Sequence, residues 1–129
     1  MKWKNKKDVA VTDDCPIKTN SFGKTGVTVT CVGLGGEGVL RTTGRTEEAR
    51  SVIRSAISSG FTYFDCARVY SDSELYYGSV WKEVPETRAH IFQASKSASR
   101  DKKSVKRDLE ETLSRLNVDY IDLWQIHDV

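Results

Sequence analysis

The sequence predicts an α/β fold in which short parallel strands alternate with helices, and the first sign is a regular spacing. Asp65, Lys96 and His127 stand 31 residues apart and then 31 again, and each ends a short apolar run. About thirty residues is the length of one strand–helix–strand unit, so successive units would bring strand ends to one rim. Helical apolar periodicity between the runs and a hairpin pattern ahead of them complete the prediction. In α/β proteins that rim is where ligands bind.

The strands are predicted from apolar runs bounded by turn residues. Residues 1–16 are polar and irregular, so we expect a loose arm there and a folded domain over residues 17–129. Alternation around residues 23–26 (Gly-Lys-Thr-Gly) predicts a β-hairpin that leads into a first parallel strand at Cys31–Gly35. Three more strands are predicted at Phe61–Asp65, His90–Lys96 and Tyr120–His127.

Three helices are predicted between these strands. Thr46 is a suitable N-cap for the first helix, and Gly60 ends it. The second helix should cover Ser73–Glu83, since Pro85 lies just beyond its end. The third is strongly charged and stops at Asn117. Its apolar side chains fall on one face, at Val105, Leu109, Leu113 and Leu116.

The composition fits one globular domain and argues against several functions. The chain has 129 residues, of which 38% are hydrophobic and 29% charged. Its net charge of +2 comes from 20 basic and 18 acidic residues spread along the sequence, so no nucleic-acid partner is expected. Asp8, Asp13 and Asp14 interrupt the stretch after the basic start, so export is not indicated. No apolar run approaches the roughly eighteen residues of a membrane span.

The cysteines favour a reducing, cytoplasmic setting. Cys15, Cys31 and Cys66 are too few and too widely spaced for a zinc knuckle or a redox pair, and no metal is expected. Cys66 follows Asp65 directly and could be a redox-sensitive thiol. The favoured interpretation is a small side chain that fills a strand end.

Side-chain alternation turns the spacing into a predicted site. Asp65, Lys96 and His127 can all point to one face of neighbouring strands, and Tyr70 on the loop after Asp65 can join them. A Lys96 ammonium beside the phenol would stabilise phenolate, so that Tyr70 could give or take a proton at neutral pH. Asp65 would keep Lys96 charged and oriented. A neutral His127 could polarise a substrate carbonyl, so the set suits carbonyl reduction or alcohol oxidation.

Four motifs together resemble those of the aldo-keto reductases over about residues 17–129. They are residues 33–36 (Gly-Leu-Gly-Gly), residues 63–74 (Tyr-Phe-Asp-x-Ala-x-x-Tyr-x-x-Ser-Glu), Ser95–Lys96 and residues 119–127 (Asp-Tyr-Ile-Asp-Leu-x-x-x-His). The resemblance implies the N-terminal half of an eight-stranded (β/α)8 barrel, a TIM barrel. It also implies interconversion of an aldehyde, ketone or sugar carbonyl and an alcohol with NADPH, NADH being the alternative cofactor.

The resemblance also implies roles for individual residues. Tyr70 would be the general acid, Lys96 would tune its acidity, Asp65 would pair with Lys96, and His127 would orient the substrate. The positions that would line the nicotinamide side of the pocket are Gly35, Gly36, Glu37 and Asp65. Two residues depart from the family pattern and bear on substrate identity: the carboxylate of Glu37, where an uncharged residue is frequent, and Cys66, where Thr or Ser is usual.

Four predicted parallel strands are half of such a barrel. A complete barrel takes about 250 residues, so we expect a truncated domain without the second-half groups that hold the cofactor. Two open sheet edges would favour self-association or pairing with a second half-barrel. The isolated chain is therefore expected to be poorly soluble or oligomeric, with little or no reductase activity.

Two alternatives remain at this stage. The glycines of Gly33-x-Gly35-x-x-Gly38 follow a strand as in a Rossmann fingerprint, but Val39–Arg45 separate them from the next predicted helix. That fold would also leave Tyr70 without a role. The second alternative is a non-catalytic remnant, or a half-barrel that binds a partner through its open edge. Hydride transfer to NADP would distinguish an enzyme from a remnant.

Overall fold

A computed structural model describes residues 17–129, so the predicted arm at residues 1–16 lies outside the described residues. The strands are β1 (Thr19–Ser21), β2 (Thr28–Thr30), β3 (Leu34–Gly35), β4 (Tyr63–Asp65), β5 (Phe92–Ser97) and β6 (Leu123–Ile126). The helices are α1 (Thr46–Ser58), α2 (Ser73–Glu83), α3 (Pro85–Arg88) and α4 (Lys102–Leu116), with a 3-10 turn at Gly38–Leu40.

Strands β3 to β6 form one parallel sheet in chain order. Each strand pairs in parallel with the next, while β1 and β2 form a separate antiparallel hairpin. Successive strands lie side by side because a helix forms each crossover. The predicted α/β fold, a hairpin followed by four parallel strands that alternate with helices, is confirmed.

The predicted helix limits agree with the structure except at the start of the first helix. Helix α2 covers Ser73–Glu83 as predicted, and Asn117 ends α4 in the left-handed conformation with φ of 52°. Thr46 is the first residue of α1, so its prediction as the N-cap is wrong; the N-cap is Arg45, whose side chain makes no capping bond. Pro85 lies beyond α2 as predicted but also begins α3, because its fixed φ and missing N–H suit a first helical turn.

Each parallel strand is shorter than its apolar run suggested. Only Leu34–Gly35 of the predicted Cys31–Gly35 enters the ladder, and β6 begins after the predicted Tyr120. Just before β6, the Asp122 carboxylate accepts a hydrogen bond of 2.8 Å from the backbone N–H of Gln93. An apolar run predicts that a segment is buried, but it does not predict which of its residues pair in the sheet. At this strand end, a side-chain carboxylate satisfies the Gln93 N–H in place of a backbone carbonyl.

The hydrophobic core lies between the sheet and the helices, on what we call the outer face. Phe64 of β4 is fully buried and meets the rings of Tyr77 and Trp81 edge-on, with ring centroids 6.0 and 5.3 Å away. Ile53 of α1 and Leu116 of α4 are also fully buried in this cluster. Aromatic side chains of this size contribute much of the apolar area removed from water.

Helices α2 and α4 pack closely at a glycine. A Cβ added to Gly78 would lie 2.0 Å from the carbonyl oxygen of Arg115, so no larger residue fits there without a shift of backbone. Of the apolar residues predicted on one face of α4, Leu116 is fully buried. The other three are half-buried: Val105, Leu109 and Leu113.

The opposite, inner face of the sheet is covered at its amino end by the hairpin. Tyr63 and Phe92 are paired across β4 and β5, and their rings stack with centroids 5.6 Å apart. Phe22 from the hairpin turn packs against both rings, at 5.7 and 4.8 Å. The hairpin therefore covers the amino end of the inner face and leaves its carboxyl end accessible.

Candidate active site

Asp65 and Lys96 meet on the inner face at the carboxyl ends of β4 and β5. The register pairs Asp65 with Ala94, so Lys96 lies two residues further along but points to the same face. The Lys96 Nζ lies 2.6 Å from Asp65 Oδ2, with side-chain exposures of 14% and 23%. The ammonium also donates to the carbonyl of Cys66 at 2.7 Å. These two bonds fix the amine at the rim.

Tyr70 and His127 complete a group of four side chains. Tyr70 is 7% exposed, and its hydroxyl lies 3.4 Å from the His127 Nε2. The two rings meet edge-on, with centroids 5.4 Å apart and planes at 83°. The Lys96 Nζ lies 5.1 Å from the centre of the Tyr70 ring. The structure thus brings together the four predicted side chains, which come from three strand ends and one loop.

The loop between β4 and α2 carries Tyr70 in a tight turn. The N–H of Tyr70 donates to the Ala67 carbonyl at 3.1 Å, and the N–H of Ser73 donates to the Tyr70 carbonyl at 2.8 Å. Ser71 has φ of 46°, a left-handed conformation that non-glycine residues adopt infrequently. The turn projects the phenol toward the sheet rim instead of outward.

His127 lies just beyond β6 and is held through its backbone. Its N–H donates to the Ser97 carbonyl at 2.8 Å, and its carbonyl accepts from Arg100 at 2.6 Å. The side chain is 13% exposed. Its Nδ1 is buried and makes no hydrogen bond to the described residues. The imidazole therefore presents Nε2 to Tyr70 while Nδ1 stays within the protein.

The predicted cofactor-binding positions differ in what they face. Gly35 lines a cavity of about 340 Å³ together with Asp65 and Lys96, and a Cβ added to it would meet no atom within 4 Å. A Cβ on the buried Gly36 would instead lie 2.4 Å from the Ser73 Oγ. The carboxylate of Glu37 does not line this cavity and forms an ion pair with Arg41 instead.

Two residues near the group were not predicted. Arg41 forms an ion pair of 2.5 Å with Glu37, and its guanidinium carbon lies 5.3 Å from the centre of the Tyr70 ring. Gln125 lines the cavity and is paired with Lys96 in the ladder. Gln125 was detectable because it shares strand parity with His127. Arg41 gave no sequence signal, since its position depends on the conformation of the loop after β3.

Burial makes two groups beside the site poor proton donors. Burial, with the nearby carboxylate of Glu74, raises the pKa of the Cys66 thiol far above its ordinary value. Burial and the charge of Asp65 raise the pKa of the Tyr63 phenol. Cys66 is fully buried, and its thiol donates to the Ala94 carbonyl at 3.5 Å, which agrees with the packing interpretation.

The described part of the chain lacks two other kinds of feature. No group of three or more His, Cys, Asp or Glu side chains in residues 17–129 is arranged to hold a metal ion. Over the same residues, every helix is too short or too polar to cross a bilayer.

The Rossmann alternative is wrong. After β3 the chain forms a 3-10 turn at Gly38–Leu40, and α1 begins only at Thr46. No helix opens within the glycine motif to meet a pyrophosphate.

Parallel strand ends that present a carboxylate, an amine, an imidazole and a phenol at one rim are typical of acid–base enzymes of the α/β class. A family model described as the aldo/keto reductase family matches residues 31–129. The chain therefore belongs to the aldo/keto reductase family.

Curated relatives agree with this assignment. The aldo-keto reductase AKR2E4 of Bombyx mori is 32% identical over 79% of this chain and 35% of its own length. L-galactose dehydrogenase of Arabidopsis thaliana is 30% identical over 88% of this chain and 39% of its own length. Morphine 6-dehydrogenase of Pseudomonas putida is 37% identical over 63% and 28%, respectively. The chain thus spans well under half the length of these relatives.

Solved structures of the family share the fold. A thermostable aldo-keto reductase in complex with the inhibitor epalrestat superposes with a TM-score of 0.77 and 32% identity, covering 86% of this chain and 43% of that one. An aldo-keto reductase from Klebsiella pneumoniae in complex with NADPH superposes with a TM-score of 0.73 and 27% identity. The match covers 86% of this chain and 39% of that one. The described strands and helices therefore correspond to part of a TIM barrel, as predicted.

Proposed function

We propose that the chain carries the acid–base residues of an NADPH-dependent oxidoreductase that interconverts a carbonyl and an alcohol. The observation that supports this most strongly is the grouping of four side chains at one rim. The Asp65–Lys96 pair at 2.6 Å and the Tyr70–His127 pair at 3.4 Å are joined through the Lys96 amine, 5.1 Å from the phenol ring centre.

Each side chain has a distinct role in this proposal. Tyr70 gives a proton to the carbonyl oxygen during reduction and takes it from the alcohol during oxidation. The Lys96 ammonium stabilises the phenolate that remains, and Asp65 keeps the ammonium charged and aimed. His127 donates a hydrogen bond from Nε2 to the substrate oxygen, which holds that oxygen near the phenol. Proton transfer then occurs between groups already in place.

The residues present fit one end of a dinucleotide. The cavity on the inner face is lined by Gly35, Asp65 and Lys96, and a Cβ added to Gly35 would meet no atom within 4 Å. NADPH, when bound, supplies the hydride. Of the predicted positions, Gly35 and Asp65 line the cavity and are proposed to meet the nicotinamide end of the cofactor, whereas Gly36 and Glu37 lie outside the lining. NADH is the alternative, since an indole-3-acetaldehyde reductase of Schizosaccharomyces pombe that resembles this chain is NAD/NADP-dependent.

The proposed substrate is an aldehyde, ketone or sugar carbonyl, or the matching alcohol. Relatives named for indole-3-acetaldehyde, morphine, 6-dehydroglucose and L-galactose cover these classes. The Glu37–Arg41 ion pair lies beside the Tyr70 ring, so a pair of charges borders the proposed reaction site. We propose a cytoplasmic setting for the reaction, supported by the free thiols of Cys31 and Cys66.

Replacing Tyr70 tests the proposed function. NADPH oxidation is followed with a panel of aldehydes, ketones and sugars, using the chain alone and the chain mixed with the C-terminal half of a related barrel. Tyr70→Phe should lower kcat by about 10²–10⁴-fold because the proton donor is lost. Tyr120→Phe is the matched control, since the Tyr120 hydroxyl faces the Arg88 carbonyl at the other end of the sheet. Unchanged kcat in Tyr70→Phe would remove this residue from the mechanism.

A second candidate is a non-catalytic half-barrel that pairs with a second copy of the chain. Strands β3 and β6 are the edge strands of the described sheet, and Ile126 on β6 is 42% exposed. Unpaired strand edges bind other strands. Light scattering after size exclusion should show a dimer or larger species. A monomer at micromolar concentration would contradict this candidate, and hydride transfer by the chain would contradict the lack of catalysis.

A further inference from the structure

Glu74, at the start of α2, is a fully buried carboxylate with four donors around it. Ser95 and Thr112 donate hydroxyl bonds to Oε1 at 2.9 and 2.7 Å. Arg68 and Arg115 donate to Oε2 at 3.1 and 3.0 Å. Burial of a carboxylate costs free energy unless hydrogen bonds and opposite charges replace water, and these four donors do so.

Two of these bonds connect the outer face to the strand that carries Lys96. Ser95 directly precedes Lys96 on β5, with its side chain on the outer face beside Glu74. Arg68 reaches Glu74 with its side chain, while its backbone N–H donates to the Lys96 carbonyl at 3.0 Å. The loop after β4 is therefore tied to the end of β5 through both backbone and side chain.

Another bond holds the turn that carries Tyr70. Arg115 of α4 binds Glu74 through Nε and donates through a second nitrogen to the Ser71 carbonyl at 2.6 Å. Ser71 has the left-handed φ of 46°, a conformation that persists only where neighbouring contacts fix it. Arg68 lies two residues before Tyr70 and Ser71 one residue after it, so Glu74 acts on both sides of the tyrosine.

We propose that Glu74 is a positioning residue that sets the separation of Tyr70 from Lys96 and His127. Its carboxylate does not touch the inner face; it fixes from the outer face the loop and the strand end that carry the phenol and the amine. The importance of this separation for catalysis rests on the proposed function. The separation itself can be measured without any enzyme activity.

Glu74→Gln is the informative substitution because it keeps the side-chain volume and removes the charge. The Ser95 and Thr112 hydroxyls can rotate to accept from the new amide, but guanidinium groups have no acceptor. The amide oxygen can take the place of Oε2 and still accept from Arg68 and Arg115, but it carries no charge. Both arginine bonds therefore weaken, and the two guanidinium groups lose the buried charge that compensated them. The Tyr70 loop would be held less firmly while the core stays filled.

The measurement is the nuclear Overhauser effect between the Tyr70 ring and the His127 imidazole. The chain has two histidines, and the exposed His90 serves as internal reference. Glu74→Gln should weaken this effect, and the His127 ring shifts should move toward unstructured values because the edge-on Tyr70 ring is held less closely.

Asp122→Asn is the matched control. Asp122 pairs with the buried Arg88 at 3.0 Å, so the change also removes a carboxylate from a buried ion pair, but at the amino end of the sheet. It should lower stability and keep the Tyr70–His127 effect. An unchanged effect in Glu74→Gln, or an equal loss in both variants, would overturn the inference.

Arg115→Met decides the question if Glu74→Gln does not fold. It breaks the bond to Ser71 but leaves three donors on Glu74, and it should weaken the Tyr70–His127 effect; an unchanged effect would overturn the inference.

If the wild-type chain reduces carbonyls, Glu74→Gln should also lower kcat by about 10- to 100-fold with little change in KM. Absence of activity in the wild type even when it is mixed with the C-terminal half of a related barrel would contradict the proposed function and leave the inference to the NMR result.

Discussion

The two faces of the sheet differ in how they are packed. On the outer face, Phe64 of β4 and Trp81 of α2 are 0% and 1% exposed between the sheet and the helices. On the inner face, Tyr63 is half-buried and lines an open cavity together with Lys96. Successive residues of one strand thus serve different purposes. Stability within residues 17–129 comes mainly from the outer face, and the candidate chemistry lies on the inner face.

The largest expected effect is a difference in stability between aromatic truncations on the two faces. Trp81→Ala should lower the free energy of unfolding by about 3–5 kcal/mol, because it leaves a cavity and deprives Gln93 of its 3.1 Å indole bond. Tyr63→Ala should cost less than half as much, since its ring is partly in water. Urea unfolding followed by circular dichroism measures both. Equal losses would mean that the inner face contributes as much packing as the outer face.

The adjacent glycines Gly35 and Gly36 provide a second test, in which the expected change in stability is smaller. Gly36→Ala should destabilise the chain by about 1–3 kcal/mol, because its Cβ would lie 2.4 Å from the Ser73 Oγ and 2.8 Å from the Asp65 carbonyl. Gly35→Ala meets no atom within 4 Å and should leave stability nearly unchanged. Thermal unfolding midpoints compare the two. If Gly35→Ala were the more harmful change, the close contacts described at Gly36 and the open space described at Gly35 would be wrong.

The smallest expected effect concerns two hydrogen bonds that join the carboxyl end of β5 and the loop after it to α4. The hydroxyls of Ser97 and Ser99 donate to Asp108 at 2.5 and 2.7 Å, and they lower its pKa below the ordinary value of 3.8. This stabilisation is present above pH 3.8 and is lost as pH falls through the lower folded pKa. Asp108→Asn should cost about 1 kcal/mol at pH 7.

The pH dependence is the check on that last prediction. The difference in unfolding free energy between the wild type and Asp108→Asn should be constant near neutral pH and shrink below pH 3.8. Urea titrations from pH 2.5 to 7 would measure it. A difference that does not change over this range would show that the carboxylate charge does not contribute.

The sequence predicted those parts of the fold that follow from periodicity. The 31-residue spacing and strand parity predicted the inner-face positions of Asp65 and Lys96, because parallel register and side-chain alternation leave few other arrangements. The limits of α2 were also correct, since its sequence carries a clear stop at Pro85. Strand lengths were overestimated because apolar runs report burial and not ladder pairing.

The remaining features depend on loop conformation and on contacts between distant residues. Arg41 reaches the Tyr70 ring only because of the turn after β3, and Arg100 reaches the His127 carbonyl across 27 residues. Glu74 was visible as part of a motif, but its four donors come from three separate segments. No local pattern specifies such contacts, since they arise only when the helices have packed.

The stagger between neighbouring strands has a consequence for sequence change. Lys96 lies two residues beyond the partner of Asp65, and His127 lies two beyond Gln125, the partner of Lys96. The three side chains therefore form a diagonal row that advances about 7 Å per strand. Insertion of one residue within β5 would turn the amine toward the helices, whereas insertion of two would keep its side and displace it by one step. Length variation should thus be confined to the loops, or occur in pairs of residues.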